Sequence, residues 1–160
     1  MFTKLELKWG VIFAAMQLVW LTLEFLFGFH DKNISWHPIV TNFIAIPSII
    51  IMVLAIREKR ALQNGRITFG NAFLCGLGVS VVVAVLSLLV QTIFFRVINP
   101  NFFSSMIKYT TENGQATLEA AQANFNFNNY LMLGALGSII MGAITSLIIA
   151  AVIKKDLRNI

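Results

Sequence analysis

The sequence holds a single cysteine, Cys75. One thiol closes no intrachain disulfide and builds no cysteine-based metal site. Charge is almost as scarce: Asp, Glu, Lys and Arg make up 12% of the chain, where a soluble domain carries about 25%. No phosphate loop, dinucleotide fingerprint or nucleophile elbow is present. Low-complexity segments and long internal repeats are absent as well. These gaps leave no catalytic residue and no cofactor-binding residue to assign, and they argue against an enzyme. What fills the chain is apolar: 58% hydrophobic residues and a mean hydropathy of +0.79 over 160 residues. That much apolar surface cannot hide inside one small domain in water, so a bilayer is the natural solvent. The net charge of +5 does not point to nucleic acid, because the cations sit beside apolar runs and form no groove or stripe.

Four apolar segments stand out, at residues 9–29, 38–56, 71–95 and 130–153. At 1.5 Å per residue they measure ~31, ~28, ~37 and ~36 Å. Each can cross a hydrocarbon core of ~30 Å, the longer two with tilt. Backbone groups in lipid must be satisfied within the segment, so helices are required. The first segment follows Lys4 and Lys8 like a signal peptide, but it is too long for a signal core and no Ala-x-Ala pattern follows. It reads as a retained span. Pro38 suits a helical first turn, and Pro47 predicts a kink inside the second span.

"REKRALQNGRITFG", residues 57–70, is the one dense run of positive charge. Asn64-Gly65 reverses the chain there, since both residues tolerate positive φ, and Thr68 can cap the third helix. On that side lie Lys4, Lys8, Arg57, Lys59, Arg60, Arg66, Lys154, Lys155 and Arg158; the other side has Lys32, Arg96 and Lys108. The positive-inside rule then places both termini and the hairpin in the cytoplasm. Arg57, Lys59, Arg60 and Arg66 are read as topology signal and anionic-lipid contact. Residues 96–129 form an outer segment, with a helix capped by Asn99 and stopped by Gly114, and a second from about Thr117 to Phe125. Its aromatic side is expected on the membrane surface.

Each span carries a stripe of small or polar residues. The stripes are Gly10, Ala14, Gln17, Leu21, Glu24, Gly28; Thr41, Ala45, Ser48, Met52, Ala55; Gly76, Ser80, Ala84, Ser87, Gln91; and Gly134, Ser138, Gly142, Ser146. Close backbone contact and interhelical hydrogen bonds drive association in lipid, so the stripes predict one compact bundle. Glu24 exceeds packing: it is ionisable and lies within a span. Counting from the span ends puts Asn42 and Gln91 at its depth, with Arg96 and Tyr130 near. Glu24, Asn42, Gln91 and Arg96 are therefore the candidate intramembrane polar cluster. His30, Asp31, His37 and Glu24 hold metal-type donors, but their spacing matches no closed motif, so no metal site is assigned. Cys75 lies toward the cytoplasmic end of its span and both histidines lie outside, which excludes a Cys-His pair. "NIS" at Asn33 matches a glycosylation sequon.

"GFHDKNISWHPIVTNF", "REKRALQNGRITFGNAFLCG" and "NPNFFSSMIKY", in that order between four spans, resemble the bacterial domain-of-unknown-function family 4199, small inner-membrane proteins. The likeness covers nearly the whole chain and is least over residues 111–128. It implies four helices, a bacterial cytoplasmic membrane and no established activity. The expectation is therefore an all-α integral membrane protein, with a short helical segment between the third and fourth helices of its bundle. It is expected to act without catalysis and without a cofactor, through assembly with itself or as subunit or modulator of a membrane complex. The alternative is a small-molecule or proton-coupled transport site centred on Glu24.

Overall fold

A computed structural model describes residues 3–154 of the chain. Lys155 and Arg158, counted above in the charge asymmetry, lie outside the described residues. Helix α1 (Lys4–Leu26) opens on a capping box: the Thr3 hydroxyl accepts from the Leu5 amide, and the Glu6 carboxylate accepts from the Thr3 amide at 2.8 Å. These bonds satisfy amides that have no partner within the helix. The helix thus begins ahead of residue 9. It ends before residue 29 because Gly28 takes φ +76° and turns the chain back.

The second apolar segment is not one uniform helix. A 3-10 turn (Ile34–Trp36), a single turn α2 (His37–Val40) and a second 3-10 turn (Thr41–Ile44) lead into α3 (Ala45–Leu62). Pro47 is the third residue of α3, so its missing N–H falls in the first α-helical turn, directly after the 3-10 turn. The irregularity expected at Pro47 is taken up in the turn ahead of it. Asn64 and Gly65, at φ +55° and +78°, make the reversal. Thr68 then caps α4 (Phe69–Ile93) by accepting from the Asn71 amide. The end of α4 widens into a π turn, Phe94–Ile98. Helices α5 (Phe102–Glu112) and α6 (Leu118–Asn124) follow, and α7 (Phe127–Ile153) closes the chain with Asn126 as its cap.

No strand occurs among the described residues. Four helical stretches are long and apolar enough to cross a membrane: Lys4–Leu26, Ile34–Leu62, Phe69–Ile98 and Phe127–Ile153. Large apolar side chains such as Val19, Leu89, Ile140 and Val152 are exposed around them. This pattern suits a multi-pass protein whose solvent is lipid.

Helix α4 is the centre. It touches α1, α3 and α7, and lies along α7 more extensively than along any other. The small residues explain the closeness. A methyl group on Gly142 would run into the Ser80 hydroxyl, one on Gly76 into Ser146, and one on Gly134 into Gln91. Gly10 gives α1 the same access to Val82 of α4. One apolar core, around Ala55, Ile56, Cys75, Val79 and Ile149, fills the end nearest the Asn64-Gly65 turn, called the hairpin end. A second, around Ile34, Phe94, Phe95, Phe102 and Met106, fills the opposite, histidine end.

Helix α5 corrects an expectation. Its aromatic side does not lie free for a membrane surface. Phe102 is 2% exposed and packs on Phe95 and Tyr130, so α5 caps the histidine end of the bundle. The Asn99 side chain does not cap α5 either. It reaches His30 instead.

Candidate functional site

Glu24 sits in the last turns of α1 and is 2% exposed. One helical turn earlier, Trp20 projects along the same face, and its indole Nε1 donates to Glu24 Oε1 at 2.6 Å. The other carboxylate oxygen meets the histidines. Gly28 reverses the chain, Phe29 N donates to Glu24 O at 2.9 Å, and the reversal lays His30 over the carboxylate. His30 Nε2 lies 3.2 Å from Glu24 Oε2, and His37 Nδ1, from the start of α2, lies 3.9 Å from the same oxygen. One ligand-type atom from each of the three residues falls within 4.8 Å of the others.

The site is closed by rings. His30 and His37 meet edge-on with centroids 4.9 Å apart. Phe94 and Phe102 stand edge-on to His30 at 5.5 and 5.0 Å. From the π turn beyond α4, Asn99 brings its amide nitrogen to 3.2 Å from His30 Nδ1. A π turn inserts an extra residue into the helical register, and here it directs Asn99 inward. His37 Nδ1 is buried and has no hydrogen-bond partner.

Of the four residues expected to cluster, only Glu24 is in this site. Asn42 Nδ2 donates to the Pro38 carbonyl at 2.6 Å, on its own turn. Gln91 is buried against Gly134, with Nε2 unpaired. Arg96 points outward over the Phe127 ring, 4.2 Å from its centroid. Tyr130 belongs to the α5 aromatic group. Asp31 is exposed and bonds the Lys32 amide. The sequence singles out Glu24, His30 and His37 as donors without showing that they meet, gives Asn99 a different role as a helix cap, and offers no sign of Trp20. Spans that end at residue 29 and resume at 38 place residues 30–37 beyond the bilayer. The signal was in "LFGFH": a glycine after an apolar helix marks a left-handed stop, and such a stop folds the next residues back over the last turn.

The hairpin end holds the basic residues. Lys59 Nζ donates to Glu6 Oε1 at 3.2 Å, and Lys8 pairs with Glu58, which also accepts from Trp9 Nε1 at 2.8 Å. Both pairs tie α1 to α3. Arg60 Nε donates to the Gly65 carbonyl at 2.8 Å and closes the turn. Arg57 and Arg66 remain exposed.

Toward the histidine end, α3 and α7 stand apart. A cleft of about 300 Å³ opens between them, lined by Thr41, Ala45, Ser48, Ser138, Met141 and Thr145 among others. Ser48 and Ser138 donate to the Ile44 and Gly134 carbonyls of their own helices, at 2.7 Å each. The cleft floor is Ser80, Val83 and Gly142.

A family model described as "Protein of unknown function (DUF4199)" matches residues 8–155 of the chain. No curated protein and no solved structure matches it.

Proposed function

We propose, for a chain that belongs to the DUF4199 family, a role without catalysis: a multi-pass bacterial inner-membrane protein that works by assembly within the bilayer, first of all with a second copy of itself. The observation that carries this reading is the cleft between α3 and α7. The residues Thr41, Ala45 and Ser48 have the spacing of a tight helix pair, yet they face the cleft; below them Met52 closes its inner end and Ala55 is buried in the core. Small side chains facing lipid let another backbone approach closely. The hydroxyls of Ser48 and Ser138 are already satisfied on their own helices, so the cleft asks for shape, not for a polar solute. A transmembrane helix meets that need.

The orientation follows the charge count, with the hairpin end in the cytoplasm. Arg57 and Arg66 are exposed and can meet anionic headgroups, worth ~1 kcal/mol each near the surface. A transport site at Glu24 is the weaker reading, because Glu24 and His30 are each 2% exposed under a lid of Phe rings.

The test is oxidative cross-linking in native membranes. Ala45→Cys, in a Cys75→Ala background, is expected to give a disulfide-linked species of about twice 17.8 kDa. Val152→Cys, on the exposed flank of α7, is the control that should not. Monomer alone from both variants refutes self-assembly through the cleft.

A further inference from the structure

Glu24, His30 and His37 present one carboxylate oxygen and two imidazole nitrogens to a single small volume. In tetrahedral coordination at ~2.0–2.1 Å, neighbouring donor atoms stand ~3.3–3.4 Å apart. The Glu24 Oε2 to His30 Nε2 separation is 3.2 Å, and Oε2 to His37 Nδ1 is 3.9 Å. The first edge fits as it stands. The second needs a side-chain movement of about half an ångström, and the edge between the two imidazole nitrogens, within 4.8 Å, closes by rotation of the same His37 ring. His37 Nδ1 is the independent sign of a ligand: a buried ring nitrogen with no partner, aimed at the carboxylate.

From this geometry we propose that Glu24, His30 and His37 bind one divalent first-row transition-metal ion, with zinc the ion their donors suit best. The neighbours supply what such sites require of the groups behind the ligands. Trp20 holds Oε1 and so turns Oε2 toward the ion. Asn99 sits on His30 Nδ1. When Nε2 ligates, the ring proton resides on Nδ1, and the Asn99 amide turned over accepts it through Oδ1. No net proton leaves a neutral His30 in that exchange. Three protein donors leave a fourth position open. The bound ion would join the end of α1, the loop after it and α2, and so fix the histidine end. The spacing of the donors in sequence matched no closed motif; the reversal at Gly28 brings them together by another route. The site lies away from the α3–α7 cleft and does not depend on the assembly reading.

The experiment uses tag-free full-length protein in lipid nanodiscs, stripped with chelator and titrated with zinc against a chromophoric competitor. Cobalt is the spectroscopic probe of the same site. Wild type should bind one zinc per chain, and cobalt should give the visible ligand-field bands of a four-coordinate centre. Glu24→Gln and His37→Ala should weaken binding at least ~10-fold. Asn99→Ala, which positions His30 without ligating, should cost ~10–100-fold. Asp31→Asn should bind as wild type, since that carboxylate lies outside the site. Zinc should raise the melting temperature of wild type and of Asp31→Asn, but not that of His37→Ala. That difference reads the site even if His37→Ala is less stable without metal. Absence of saturable one-to-one binding by wild type overturns the proposal, and so does His37→Ala binding zinc as tightly as wild type.

Discussion

Trp20 and Glu24 are one helical turn apart, and their bond shows what a single residue does here. The carboxylate is buried, so each acceptor left without a donor carries its full desolvation penalty. Trp20→Phe keeps the ring and removes only the N–H. It is expected to destabilise the protein by about 1–3 kcal/mol, read from unfolding in mild detergent. An unchanged transition would mean that the Trp20 bond is not what satisfies Glu24 Oε1. At this scale half of the site was legible. Glu24 stood out because an ionisable residue in an apolar run demands a reason. His30 and His37 stood out as donors but not as its neighbours, because depth counted along straight helices pairs residues at equal height. Gly28 breaks that count by folding His30 down beside Glu24. Asn99 was hidden for the same kind of reason: a π turn shifts register, and nothing in "FFRVINP" announces one.

Among elements, the α4–α7 pair was the most legible, because closely packed membrane helices need small residues at regular spacing and the sequence has them. The structure sharpens which glycines matter. Gly142 faces Ser80, whereas a methyl group on Gly137 would meet nothing within 4 Å. Gly142→Leu should lower stability by at least ~1–3 kcal/mol, since the larger side chain forces the two backbones apart. Gly137→Leu should stay within ~0.5 kcal/mol of wild type. Detergent unfolding of the two variants side by side checks this, and equal losses would contradict the α4–α7 contact. The stripe on α3 was read less well. Ala55 is core and Met52 lies where core and cleft meet, but Thr41, Ala45 and Ser48 line an open cleft. Periodicity reports that a face is fit for packing and does not say whether the partner belongs to the same chain. Helix α5 fails for a related reason. An amphipathic face suits a membrane surface and a protein surface alike, and here Phe94, Phe95 and Tyr130 supply the protein surface.

For the whole molecule, the arrangement of charge decides the proposed orientation. Lys8 and Lys59 are paired with Glu58 and Glu6, which lowers the net charge of the hairpin end. The positive-inside rule counts Lys and Arg near the span ends and gives acidic residues little weight. The pairing therefore leaves the asymmetry intact: among the described residues the hairpin end keeps Lys4, Lys8, Arg57, Lys59, Arg60, Arg66 and Lys154, against Lys32, Arg96 and Lys108 at the histidine end. The exposed tips of the two ends, Asn64 and Asn113, make the orientation measurable. Cys75 is 2% exposed and is replaced by alanine so that each probe is the sole thiol. With a membrane-impermeant maleimide on intact cells, Asn113→Cys should label at once. Asn64→Cys should label only after the membrane is opened. The reverse pattern would turn the protein over. It would place the Glu24–His30–His37 site on the cytoplasmic side, where a zinc ion must be won from tighter competing ligands, and the headgroups facing Arg57 and Arg66 would be those of the outer leaflet.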